Sequence, residues 1–80
     1  MKNHGKLNAT LLTPAYWEKY HLSDGVDFAN QFQAIDAQDL GENDRKQALD
    51  ELLKKMAAKG YNNPANSMYV LYSAILVQRN

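Results

Sequence analysis

One segment constrains the fold of this chain more than any other, the run from residue 68 to residue 77. Every residue between Met68 and Val77 is apolar except Ser73. Because burial of apolar surface is the dominant force in folding, this segment must supply a large part of the core of an 80-residue chain. It is too short to cross a bilayer, which takes about 20 apolar residues, so we expect no membrane partner.

As a helix, this segment would be apolar on nearly all sides. Its core-facing side would hold Met68, Leu71, Tyr72, Ile75 and Leu76. Val70 and Val77 would point away from that side, because side chains repeat every 3.6 residues around a helix. A small chain cannot surround a helix completely, so we predict that Val70 and Val77 contact a second copy of the chain or another partner.

A buried strand is the competing interpretation of the same segment. Its β-branched and aromatic residues suit a strand, which would pair with residues 7–12. The Asn63-Pro64 pair favours the helix, since Asn caps helices and Pro suits their first position. We therefore predict a final helix from Pro64 to about Gln78.

Three amphipathic helices are predicted before this segment. We expect them at Pro14 to His21, at Ser23 or Asp24 to Gln38, and at Asp44 to Lys59. In the second and third of these, apolar side chains recur every three or four residues, which is typical of a helix with one buried face. Gly41 is expected to end the second helix, and acid-first ion pairs from Asp50 to Lys54 and from Glu51 to Lys55 to support the third.

Polar residues and one proline mark where these helices should begin. The predicted N-caps are Thr13 for the first helix, Ser23 or Asp24 for the second, and Asn43 for the third. Pro14 suits the first helical position after Thr13, and Leu12 should pack against Trp17 four positions into the helix.

These patterns predict an all-α fold, a compact bundle of three to four short helices with an apolar, central C-terminal helix. The alternative is an α+β fold in which residues 7–12 and 68–77 pair as strands. Chains of this length form one domain, so we expect residues 1–80 to be a single small domain with residues 1–10 as a loose N-terminal arm.

The sequence carries no pattern typical of catalysis, cofactor binding or metal binding. Cysteine is absent and histidine occurs only at His4 and His21, so thiolate chemistry and sulfur-ligated zinc are excluded. His21, Ser23 and Asp24 contain the residue types of a hydrolytic triad, but capping explains the serine and aspartate more simply. We therefore expect no enzymatic activity, no cofactor and no metal.

The polar N-terminus lacks the apolar core of a signal peptide, so we expect a cytoplasmic location.

An acidic stretch stands out in a chain whose formal net charge is zero. Six acids and no lysine or arginine lie between His21 and Arg45, namely Asp24, Asp27, Asp36, Asp39, Glu42 and Asp44. The part from Asp36 onward does not match a calcium-binding loop, because the twelfth position is Gln47 and not a bidentate glutamate. It is either a solvated loop between helices or a patch for a partner with a basic surface, in which Asp36, Asp39, Glu42 and Asp44 would take part.

Tyr16, Trp17 and Tyr20 lie on adjoining faces of the first helix. Aromatic side chains of this kind form either the centre of a small core or an exposed anchor for a partner. Together with Val70 and Val77, they are the apolar candidates for partner binding.

The function expected from the sequence is that of a non-enzymatic protein–protein interaction module or regulator that docks on a larger macromolecular partner, as a monomer or as a homodimer. One alternative is a stand-alone inhibitor whose acidic stretch blocks a basic, nucleic-acid-binding groove. The other is a small DNA-binding regulator. Nucleic acid is the less expected partner, because the net charge is zero and the run from Met68 to Val77 offers no basic or amide side chain.

Overall fold

The all-α prediction is confirmed by the computed structural model, which describes residues 9–80. Its helices are α1 (Pro14–Lys19), α2 (Ser23–Ala37), α3 (Glu42–Ala58) and α4 (Tyr69–Arg79). Residues 9–11 are also helical. Within residues 9–80 there is no strand, so the alternative that made residues 68–77 a strand is wrong.

The predicted loose arm, residues 1–10, falls mostly outside the described residues. Only Ala9 and Thr10 can be compared, and both are helical. The backbone N–H groups of Leu12 and Thr13 donate to the carbonyls of Ala9 and Thr10, at 3.2 and 3.1 Å. The chain therefore enters α1 from a helical turn, while the rest of the predicted arm lies outside the described residues.

The side-chain caps predicted for α1, α2 and α3 do not form. Thr13 is the N-cap residue of α1 and is followed by Pro14 as predicted, but its hydroxyl donates to the carbonyl of Thr10 at 2.7 Å. α2 begins at Ser23 after the N-cap residue Leu22, and the Asp24 carboxylate accepts a hydrogen bond from the Tyr61 hydroxyl.

The turn between α2 and α3 also differs from the prediction. α2 ends at Ala37 before Asp39, whose φ of +50° lies in the left-handed region, so Gly41 does not terminate it. Gly41 is instead the N-cap residue of α3, and its carbonyl accepts from the N–H of Arg45 at 2.8 Å. Asn43 therefore lies inside the helix and cannot cap it.

α4 begins five residues later than predicted, at Tyr69. The Asn63 side chain accepts a hydrogen bond from the N–H of Ala65 at 3.0 Å, and Asn66 accepts from that of Met68 at 2.9 Å. Such local bonds from asparagine stabilise turns in competition with the helix. Residues 60–68 consequently form a chain of turns.

One hydrophobic core joins all four helices. Its buried members are Leu12, Trp17, Phe28, Ala29, Phe32, Leu49, Leu52, Leu53, Met56, Met68, Leu71, Ala74 and Ile75. The largest completely buried side chains lie on α3 and α4, with Leu49 and Met56 on α3 and Leu71 and Ile75 on α4. The contact between α3 and α4 is therefore the centre of the core.

α1 is attached to the core by Trp17, which is only 2% exposed. The indole N–H donates to the carbonyl of Leu11 at 2.6 Å, so the polar edge of the ring is satisfied by the turn before α1. The face of the ring lies directly on Gly25, near the start of α2. A Cβ atom at Gly25 would come within 2.5 Å of Cδ2 of the indole, a separation that real Cβ contacts do not show.

Replacing Gly25 with alanine should therefore destabilise the protein although alanine is the better helix former. We expect Gly25→Ala to lower the free energy of unfolding by about 1–3 kcal/mol, the usual cost of overpacking a core. Urea denaturation followed by Trp17 fluorescence measures this change. Gly41→Ala is the matched control, because nothing lies within 4 Å of its added Cβ. Equal stability of the two variants would contradict the tight packing of Trp17 on Gly25.

Candidate protein-interaction surfaces

The side of α4 that faces away from the core forms an uncharged surface, here called the α4 outer face. It consists of Tyr69, Val70, Ser73 and Val77, and its two edges are formed by Tyr72 and Leu76, which also pack against the core. Val70 is 47% exposed and Val77 is 55% exposed, as the helical period predicted, and the other four are half-buried. The opposite side of α4, with Leu71, Ala74 and Ile75, is buried in the core.

Few polar groups lie on or beside the α4 outer face. The Ser73 hydroxyl donates to the carbonyl of Tyr69 at 2.8 Å, within the helix. The Tyr69 and Tyr72 rings stack with centroids 6.0 Å apart. At the carboxyl end, Arg79 forms an ion pair with Asp50 of α3. The face therefore presents carbon atoms and phenol rings, with no unpaired charge.

The aromatic trio of α1 is divided between the core and the surface. Trp17 is buried, Tyr16 is half-buried, and Tyr20 is 51% exposed. Tyr16 links the other two rings, with centroids 5.0 Å from Trp17 and 5.1 Å from Tyr20. Trp17 therefore belongs to the core, and Tyr20 is the member of the trio that is exposed enough to contact a partner.

The acidic stretch is also divided, because two of its carboxylates have cationic partners. Asp36 pairs with Arg45 at 2.9 Å, and Asp24 lies 3.7 Å from the ammonium group of Lys59. The remaining candidates Asp39, Glu42 and Asp44 are exposed and have no cationic partner among residues 9–80. Four of the six acids therefore remain without a cationic partner among residues 9–80, these three at the turn between α2 and α3 and Asp27 on α2.

A groove lies where α1 ends and α2 begins, and sequence reasoning did not find it. It has a volume of about 570 Å³ and is lined by Glu18, His21, Leu22, Ser23, Val26, Asp27 and Asn30. A smaller concavity of about 280 Å³ is lined by Ala9, Leu12, Phe32, Gln33, Asp36 and Gln78. The groove combines residues of two helices, and the only sequence signal for it was an apolar Leu22 in the connection between them.

His21, Ser23 and Asp24, the residue types that the sequence shares with a hydrolytic triad, do not form a catalytic arrangement in the described part of the chain. No hydrogen bond joins His21 to Ser23 or to a carboxylate among residues 9–80.

Residues 9–80 contain no cluster of three or more histidine, aspartate or glutamate side chains that could hold a metal ion. No helix among them has both the length and the apolar character needed to cross a membrane.

His21 is held in the turn that ends α1. The N–H of His21 donates to the carbonyl of Glu18 at 3.0 Å, and the N–H of Leu22 donates to that of Trp17 at 3.1 Å, which is the Schellman pattern of a helix terminus. This pattern requires a left-handed residue at the His21 position, where φ is +59°. Glycine is the usual residue there because a Cβ atom is strained in that conformation.

We therefore expect His21→Gly to stabilise the protein, by about 0.5–1 kcal/mol, after the extra chain entropy of an unfolded glycine is subtracted. Thermal and urea denaturation measure the gain. His21→Ala is the matched control, since it removes the imidazole and keeps the Cβ atom, and it should give no gain. Equal stabilisation by the two variants would show that backbone strain is not the cause.

Tyr61 connects the turn after α3 to the start of α2. The hydrogen bond that its hydroxyl donates to Asp24 raises the pKa of the phenol, and burial and the negative charge of Asp24 act in the same direction. Because the folded pKa lies above the ordinary value of 10.0, the protonated phenol stabilises the fold. This contribution is complete below the unfolded pKa and is lost as the pH rises through the folded pKa.

An NMR titration of the tyrosine rings at alkaline pH should show this effect residue by residue. We expect Asp24→Asn to lower the pKa of Tyr61, because it removes the negative charge beside the phenol. Asp27→Asn, an exposed acid of the same helix that makes no contact with Tyr61, is the control and should leave that pKa unchanged. An unchanged Tyr61 titration in Asp24→Asn would contradict the assigned hydrogen bond.

Comparison with known proteins gives no relative for this chain: no protein-family model, no curated protein and no solved structure matches it.

Proposed function

We propose that this protein is a non-enzymatic interaction module that docks on a larger protein partner through the α4 outer face. The observation that carries the proposal is the exposure of Val70 and Val77 on a helix face without any charged side chain. The centre of a protein interface is depleted in charge and enriched in aromatic residues, and the α4 outer face has both properties. Burying each of these half-exposed valines would contribute roughly 1 kcal/mol to binding.

The dimensions of the face favour a larger partner over a simple self-contact. α4 has 11 residues and is therefore roughly 16 Å long. Two such faces laid together would bury less than the roughly 800 Å² per partner that a standard interface needs. A groove on a larger partner can cover the sides of the helix as well, and this is a common mode of helix recognition. A homodimer formed by this face alone would be weak.

The stacked tyrosines support the same mode of binding. Tyr69 and Tyr72 lie at the amino-terminal end of the face and are half-buried, so little side-chain entropy is lost when a partner covers them. Tyrosine and tryptophan supply many of the residues that dominate binding energy. We propose Tyr72 and Val77 as contacts at opposite ends of the docked surface.

A second candidate function is inhibition of a partner that has a basic groove. It is favoured by the exposure of Asp39, Glu42 and Asp44, which have no cationic partner among residues 9–80. The pairing of Asp36 with Arg45 leaves this cluster smaller than the sequence suggested. The DNA-binding alternative gains no support from α4, whose outer face offers no lysine, arginine, asparagine or glutamine to a base edge. A cytoplasmic location is part of the proposal.

Placing charge on the α4 outer face tests the proposal. We expect Val70→Glu/Val77→Glu to remain folded, with a stability within about 1 kcal/mol of the parent chain, since both positions are exposed. Cross-linking followed by mass spectrometry, with the intact chain as bait, should identify a protein that is bound by the parent and lost in this variant. The matched control Gln33→Glu/Gln47→Glu adds the same charge at exposed positions on α2 and α3 and should retain the partner.

Light scattering over a dilution series shows whether the partner is a second copy of this chain or a different protein. A monomer at all concentrations, with a partner lost only in the valine variant, supports docking on another protein. If the parent chain forms a tight dimer and the valine variant does not, the α4 outer face binds a second copy of the chain and not a larger partner. A folded valine variant that keeps every partner of the parent would contradict a role for the α4 outer face.

A further inference from the structure

The groove between α1 and α2 carries an inference that does not depend on the α4 outer face. Glu18 lies on the last turn of α1, while Ser23, Val26, Asp27 and Asn30 form one side of α2. The connection between the helices adds His21 and Leu22. Its volume of about 570 Å³ is open to solvent and large enough for one or two side chains of a bound peptide.

Two carboxylates line the groove, and the lining contains no lysine or arginine. Glu18 and Asp27 both line it, and neither pairs with a lysine or arginine among residues 9–80. Asp27 accepts only a hydrogen bond from Gln31, at 3.3 Å. Lys19, the nearest cation in sequence to Glu18, holds its ammonium group over the Tyr20 ring and is not part of the lining.

The remaining lining combines apolar surface with neutral hydrogen-bonding groups. Leu22 is 36% exposed and Val26 is half-buried, so both offer apolar surface inside the groove. Ser23 and Asn30 supply oxygen acceptors beside it. Lysine and arginine side chains match such a site, because their aliphatic stems pack on apolar surface while their charged ends reach carboxylates.

Within residues 18–22, three residues occupy backbone positions that favour a different type of residue. Glu18 stands at a helix carboxyl terminus, where the helix dipole favours a cation. His21 holds a left-handed conformation that suits glycine, and Leu22 occupies an N-cap position that suits a polar residue. Violations of local preference are expected to cluster where a surface serves binding. A bound cation would offset the unfavourable position of Glu18 directly.

We infer that this groove binds a basic, amphipathic peptide segment of a partner protein. A lysine or arginine of the segment lies between Glu18 and Asp27, and an adjacent apolar side chain packs on Leu22 and Val26. Of the two acids of this site, Asp27 belongs to the acidic stretch of the sequence and Glu18 precedes it, and neither lies at the turn that holds Asp39, Glu42 and Asp44.

NMR titration of the isotope-labelled chain with short capped peptides tests the inference. The three probes alternate leucine with lysine, leucine with glutamate, and serine with lysine. We expect the leucine–lysine peptide to shift the backbone amides of residues 18–30 and to bind more tightly than the serine–lysine peptide. The leucine–glutamate peptide should not bind. Equal binding of the leucine–glutamate peptide, or shifts confined to another surface, would overturn the proposal.

Charge-removing variants make the test specific to this groove. Glu18→Gln/Asp27→Asn should weaken binding of the leucine–lysine peptide by about three- to tenfold, as expected for two exposed charge contacts. Asp39→Asn/Asp44→Asn removes the same charge elsewhere and should change binding less than twofold, roughly the effect of distant screened charges. If the two variants weaken binding equally, the peptide is attracted by the overall negative charge of the chain, and the proposed site in the groove is wrong. Far-UV circular dichroism confirms that each variant is folded, and Val70→Glu/Val77→Glu should still bind the peptide.

Discussion

A chain of this length cannot enclose its most apolar helix, and the rest of the structure follows from that constraint. A small domain buries a limited share of its surface, and here α4 buries one side while the other remains on the surface. Leu71 and Ile75 complete the core against Leu49 and Met56 of α3, whereas Val70 and Val77 stay exposed. The same segment that drives folding therefore supplies the surface on which the proposed function rests.

The attachment of α1 shows how a two-turn helix is held in a small fold. A helix of six residues is marginal alone, and a single buried tryptophan that sits on a glycine secures it. The close approach of Trp17 to Gly25 brings the end of α1 beside the start of α2. The left-handed turn at His21 and the groove both lie at this junction, so the packing that stabilises α1 adjoins a candidate binding site.

Electrostatic contacts in this protein are mainly tertiary. Among residues 9–80, Arg45 pairs with Asp36, Lys59 with Asp24, and Arg79 with Asp50. Arg45 also donates to the carbonyl of Gln78 at 2.9 Å and so connects the start of α3 to the end of α4. The helical pairs predicted from four-residue spacing, Asp50 with Lys54 and Glu51 with Lys55, do not form in this part of the chain. Asp50 is engaged by Arg79, and the ammonium group of Lys55 donates to the side-chain oxygen of Gln31 at 3.5 Å. Exposed pairs of this kind stabilise weakly, but they decide which carboxylates remain available to a partner.

The sequence by itself determined the fold class, the presence of the four helices and the orientation of Val70 and Val77. These features follow from apolar periodicity, which depends only on neighbours within one or two turns. The caps of α2 and α3 and the start of α4 did not follow, since contacts such as that of Tyr61 with Asp24 and turns such as that at Asn63 compete with capping. The fate of the aromatic trio, the division of the acidic stretch and the groove at Leu22 were decided only by tertiary structure. Each depends on which residues of separate helices meet, and the distance between helices is not encoded in the spacing of residues along one of them.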